Sequence, residues 1–108
     1  MRPGCLLLPL LLLTACAKPL PPDRQAYAGE WTGPGVSLRI FADGNVEYRR
    51  EEGSTKVSIS APIKAFEGDD VVVGMGPMVT RFDVTVPPQR TADGWNMTVD
   101  GRVLRRAD

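Results

Sequence analysis

Val36-Ser37-Leu38-Arg39-Ile40-Phe41-Ala42-Asp43-Gly44-Asn45-Val46-Glu47-Tyr48-Arg49 alternates apolar and polar side chains on both sides of an Asp-Gly pair. A period of two is the signature of a half-buried strand, and Asp-Gly is a strong turn signal because glycine takes positive φ without steric cost. The length of the loop decides whether the two strands can share a core. A two-residue turn at Asp43-Gly44 sets Ile40 opposite Glu47 and Leu38 opposite Arg49, mixing apolar and charged side chains on one face. A three-residue loop, Ala42-Asp43-Gly44 with Gly44 left-handed, sets Ile40 opposite Val46 and Leu38 opposite Tyr48. It also brings Arg39 to Glu47 on the other face. Only the second register separates core from solvent, so the sequence predicts the three-residue loop.

The same test on Trp95-Asn96-Met97-Thr98-Val99-Asp100-Gly101-Arg102-Val103-Leu104-Arg105-Arg106 selects a two-residue turn at Asp100-Gly101. Met97 then faces Leu104, Val99 faces Arg102, and Arg106 is placed over the Trp95 indole. Between the hairpins, Val57, Ile59, Ala61 and Ile63 alternate with polar residues, and Pro62 marks an edge strand or a strand end. Val71-Val72-Val73 is a continuous apolar run. Phe82, Val84 and Val86 alternate as one strand that Pro87-Pro88 stops. Asp93-Gly94 is a further turn. The expectation is an all-β domain, a small antiparallel meander of about seven short strands closing as a barrel or sandwich over residues 29–108. Trp31, Tyr48, Phe66, Phe82 and Trp95 are expected to fill its core.

Upstream the composition changes. Seven of the eight positions from Leu6 to Leu13 are leucine, so the chain's hydrophobic fraction of 43% overstates its core. Arg2, the leucine block and the small residues Thr14-Ala15 have the layout of an export signal over residues 1–15, too short for a transmembrane helix of roughly 20 residues. Leu13-Thr14-Ala15-Cys16 resembles the lipobox of bacterial lipoproteins. That resemblance implies diacylglycerol on Cys16, cleavage before it, and acylation, commonly with palmitate, of the new amino terminus. It also implies attachment to an envelope membrane by its lipid. Ala17, where enteric lipoproteins held at the inner membrane carry aspartate, favours the outer membrane facing the periplasm; Lys18 leaves the inner membrane open. Residues 16–28, with Pro19, Pro21 and Pro22, are expected to form an extended spacer.

Removal of Arg2 with the signal leaves twelve basic side chains against thirteen acidic ones and no cysteine beyond Cys16. Near neutrality gives no electrostatic argument for nucleic acid. An exported domain without cysteines must rely on its packing, not on disulfides. Histidine is absent, which removes the commonest general base and metal ligand. No phosphate-binding glycine loop, nucleophile elbow or cluster of metal ligands is present. No catalytic residue, metal or cofactor is therefore expected, and the domain reads as a non-enzymatic binding or structural interaction module.

Two surface features are candidates for contact. Arg49, Arg50, Arg102, Arg105 and Arg106 would form a patch for an anionic glycolipid or an envelope protein if the first and last hairpins are neighbours. Met75 and Met78, in Gly74-Met75-Gly76-Pro77-Met78, form an adaptable apolar contact loop or fold back onto the core. Gly29 and Trp31 resemble the Gly-x-Trp opening of lipocalins, a match that does not itself imply ligand binding; the alternative function is a lipocalin-like carrier of a small apolar ligand in the periplasm.

Overall fold

The computed structural model describes residues 17–106, so Cys16 and the export signal lie outside the described residues. Nine strands form a single antiparallel sheet: β1 (Gly29–Gly33), β2 (Val36–Ile40), β3 (Asn45–Glu52), β4 (Thr55–Glu67), β5 (Asp70–Met75), β6 (Met78–Phe82), β7 (Val84–Thr91), β8 (Gly94–Val99) and β9 (Arg102–Arg106). Their order is β6-β5-β4-β3-β2-β1-β9-β8-β7, and the sheet curls into a half-barrel. β1 joins the two hairpins. It pairs with β2 along its length and with β9 at Trp31↔Arg106 and Thr32↔Arg105.

Both predicted registers are present. Ile40 pairs with Val46, Leu38 with Tyr48 and Arg39 with Glu47. The Phe41 N–H donates to the Asn45 carbonyl at 2.9 Å, and Gly44, at φ +96°, closes the three-residue loop. In the last hairpin Met97 pairs with Leu104 and Val99 with Arg102. Asp100 and Gly101 both have positive φ, +51° and +79°, the geometry of a type I′ turn, whose twist matches the strands it joins.

One strand is additional, and two strand expectations change. Gly29–Gly33 is itself a strand, although two glycines flank only three side chains. The stretch Phe82–Val86 is broken at Asp83, whose backbone turns to the β8–β9 turn instead of a neighbouring strand. Its N–H donates to Asp100 Oδ1 at 2.9 Å, and its carbonyl accepts from the Asp100 N–H at 2.8 Å. Pro87-Pro88 does not stop β7, which runs on to Thr91. β7 is an edge strand, and its register with β8 shifts between Val86 and Gln89, across both prolines. An edge tolerates residues that cannot donate to a ladder.

Pro62 lies in a strand with neighbours on both sides, yet the ladder between β3 and β4 does end there. The next residue, Ile63, donates to Gly44 and begins the ladder to β5, with a register shift between Ile63 and Ala65. β4 is thus bent in the middle: its first half belongs to the barrel wall, and its second half carries β5 and β6.

The core is apolar, and no polar or charged residue among those described is buried within it. Trp31, Leu38, Ile40, Val46, Val71, Val73, Phe82, Met97 and Leu104 are fully buried. Tyr48 packs on Phe82 with ring centres 4.9 Å apart, joining the barrel wall to β6.

The proline-rich stretch does not stand off as an extended spacer. Leu20 is buried, its N–H donates to the Ala42 carbonyl at 3.0 Å, and Pro22–Tyr27 is a 3-10 helix with proline at its start. Burial of one leucine side chain is worth about 1.5–3 kcal/mol, enough to hold a short segment that proline has already stiffened. Tyr27 is buried beside Phe66 with ring centres 5.1 Å apart, and its hydroxyl donates to the Asp69 carbonyl at 2.9 Å. The Trp31 indole N–H donates to the Tyr27 carbonyl at 2.9 Å. The helix is therefore held by Tyr27 to β1, β4 and the β4–β5 turn.

Candidate functional site

The bend in β4 opens a groove. Up to Pro62 one edge of β4 is covered by β3; beyond it the other edge is covered by β5. The Ile63-to-Gly44 bond fixes which residues point which way. In an antiparallel ladder alternate residues direct both backbone groups to the same neighbour. Ala61 and Ile59, two and four residues before Ile63, therefore face β3, while Ser58, Ser60 and Pro62 direct theirs away from it. Pro62 has no N–H to leave unmade at that edge. Ser58 and Ser60 present backbone donors and acceptors to a groove of about 590 Å³ whose far wall is Val73–Met75 and Pro77–Thr80.

That wall is the tip of the β5–β6 hairpin. Met75 pairs with Met78 across the two-residue loop Gly76-Pro77. Gly76, at φ +56°, supplies the positive φ that a type II′ turn needs at its first central position, and proline suits the second. Gly74, at φ +146°, lies so close to the Met78 carbonyl that no Cβ would fit. The tip is held to β4 by Lys64, whose Nζ donates to the Gly76 carbonyl at 3.0 Å. Met75 is 61% exposed, Met78 77% and Val79 48%. The methionines do not fold back onto the core; they stand out from it.

A second groove, of about 240 Å³, lies on the other side of Lys64, between Lys18–Pro21 and Ile63–Phe66. It is the seat of the amino-terminal segment. Among the described residues no charged side chain lines the larger groove, and two, Lys18 and Lys64, line the smaller one.

The five arginines are distributed over four places. Arg50 and Arg102 converge on Glu52: Arg50 Nε lies 3.6 Å from its carboxylate, and Arg102 bonds directly to it. The hydrogen bond from Arg102 is the main reason the Glu52 carboxyl is held below its ordinary range. Arg49 points to the outer face beside Glu30, Ser37, Arg39 and Glu47. Arg105 is exposed, with its nearest carboxylate, Asp93, at 4.0 Å. Arg106 turns inward, over Trp31 and Trp95 at 5.5 and 4.8 Å from the ring centres, and donates to the Ala26 and Ala28 carbonyls at 3.2 and 3.3 Å. β1 lies between the hairpins in the sheet, yet Arg50 and Arg102 still meet at Glu52, and alternation along β3 and β9 sends consecutive arginines to opposite faces.

Sequence reasoning missed the free edge of β4 and the seat of Leu20. Pro62, which cannot donate to a ladder, was the available signal for the first; nothing local marked the second. No family model, curated protein or solved structure matches this chain.

Proposed function

We propose that this protein is an envelope lipoprotein, anchored through lipid on Cys16, whose β-domain is a non-enzymatic binding module that uses the groove beside β4. The observation that carries the reading is where the apolar surface lies. The interior is filled by Trp31, Phe82 and Met97, while Met75, Met78 and Val79 remain outside on a hairpin tip beside unpaired backbone groups. Isolated exposed apolar residues are ordinary on protein surfaces, whereas several on one wall of a groove suit a contact. The same packing weighs against an enclosed apolar ligand, because even a barrel of about eight strands has room for one small ligand at most.

The anchor is tested by Cys16→Ser. The variant should move from the membrane to the soluble fraction, and its continued membrane association would overturn the lipid reading. The carrier is tested on the purified lipoprotein by organic extraction. No stoichiometric small lipid should appear beyond the covalent acyl groups; finding one would replace the binding module with a carrier.

A further inference from the structure

We infer that the Met75–Met78 hairpin tip is a second membrane contact, resting on the phospholipid surface that holds the anchor, with Lys18 and Lys64 facing its anionic headgroups. The inference deepens the lipoprotein reading and rests on it. Ala17 directly follows the cysteine proposed to carry the lipid, so the described chain begins at the membrane with no spacer left. Lys18–Pro21 is seated against Ile63–Phe66. Lys64 belongs to that seat and also holds the hairpin tip through Gly76. The point where the chain leaves the domain and the most exposed apolar side chains are therefore bridged by one side chain.

Charge agrees with this placement. In a chain with thirteen acidic residues, none of those described lines either groove; the larger groove is uncharged, and the smaller one beside it carries Lys18 and Lys64. Basic residues near an anionic lipid surface are attracted to it, and apolar residues beside them enter the headgroup boundary. The backbone also limits the depth. The unpaired groups of Ser58 and Ser60 cannot enter hydrocarbon without losing their hydrogen bonds. Contact therefore stops at the tip: Met75, Pro77, Met78 and Val79 enter the boundary, and the groove stays among headgroups and water.

The test uses the lipoprotein purified from membranes and reconstituted in vesicles of phosphatidylethanolamine and phosphatidylglycerol. Met78→Cys supplies the only free thiol if Cys16 is acylated, and it is labelled with an environment-sensitive fluorophore. Val103→Cys on β9, also exposed, is the reference, since β3, β2 and β1 separate β9 from β4. The mass of the amino-terminal peptide reports lipidation separately. The expected result is blue-shifted emission at position 78, quenched by spin-labelled lipid, with neither effect at 103. Loss of the blue shift in Lys64→Glu would support the charge argument. A lipidated protein whose label at 78 stays in water overturns the tip contact and leaves the anchor intact. An unlipidated protein absent from the vesicles overturns both. A label at 78 that is shielded in cells but not in vesicles assigns the tip to a protein partner and also overturns the inference.

Discussion

The guanidinium of Arg106 lies 4.8 Å from the ring centre of Trp95, and its NH1 donates to the Ala26 and Ala28 carbonyls behind it. Arg106 thus joins the last strand to the segment that precedes the first. Cation–π contacts are worth about 0.5–2 kcal/mol and hydrogen bonds from a charged donor about 1.5–3 kcal/mol. Arg106→Ala should destabilise the domain by about 2–4 kcal/mol and change its tryptophan emission. Arg106→Lys should recover less than half of the loss, because a lysine cannot stack and donate as a planar fork. Denaturant unfolding followed by fluorescence measures both. Full recovery by lysine would show that charge alone matters.

Gly29 faces the same side chain. A Cβ there would stand 2.5 Å from Arg106 Cδ, at φ +134°. Gly29→Ala combines a steric clash with backbone strain of about 1–3 kcal/mol. Its effect should shrink in the Arg106→Ala background, where the clash is removed and the strain stays. Additive losses in the double variant would argue that the clash is relieved elsewhere.

Leu20 ties the amino-terminal segment to the β2–β3 loop. Leu20→Ala should cost about 2 kcal/mol, at the low end for a buried leucine because the segment is terminal. It should also expose the Arg24–Gln25 bond to trypsin. Gly44→Ala should do the same from the other partner, since a Cβ on Gly44 would collide with the Lys18 carbonyl at φ +96°. Time courses of limited proteolysis decide the matter; cleavage as slow as in the unaltered chain would show that the segment holds by other contacts.

Asp100 contributes both a turn and a bridge. Its positive φ favours Asn, Asp or Gly, and its carboxylate accepts from the Asp83 N–H. Asp100→Asn should be nearly neutral, retaining an acceptor oxygen and tolerance of the left-handed region. Asp100→Gly should lose about 1 kcal/mol with the bond, and Asp100→Ala should lose more by adding strain. Thermal unfolding of the three variants gives the order, and an alanine variant as stable as the asparagine one would refute it.

Burial, reinforced by nearby Asp69, pushes the Tyr27 phenol above its ordinary value. A folded-state value raised above the unfolded one means that the native state holds the proton longer. The associated stability is fully present below about pH 10, where an unfolded tyrosine titrates. It is lost as pH rises through the higher folded value. Unfolding midpoints measured from neutral to strongly alkaline pH should therefore fall more steeply in the unaltered chain than in Tyr27→Phe. Equal slopes would show that Tyr27 is not the group responsible.

The strand alternation and the two hairpin registers were legible because each is decided within about twelve residues by which side chains must share a face. What required the structure depends on distant partners. Asp83 looks like the middle of a strand until Asp100 takes both of its backbone groups. Leu20 looks like part of a spacer until Ala42 and Ile63 provide its seat. The arginines look like one patch until alternation divides Arg49 from Arg50 and Arg105 from Arg106, leaving Arg50 and Arg102 together at Glu52. Pro62 hints locally that β4 changes neighbours there, but the exposure of Met75 and Met78 depends on where β5 and β6 are then placed.

The order of the strands has a kinetic meaning. Among the described residues every ladder joins strands consecutive in the chain except one, in which Trp31 and Thr32 meet Arg106 and Arg105. Neighbouring ladders form by closing short loops, whereas this one must close nearly the whole domain, and folding slows with such long-range contacts. The hairpins can form early, in any sequence. Joining β1 to β9 must wait until the end of the chain is delivered, and a chain shortened before Arg102 would gain two further unpaired edges, β1 and β8, each a template for aggregation.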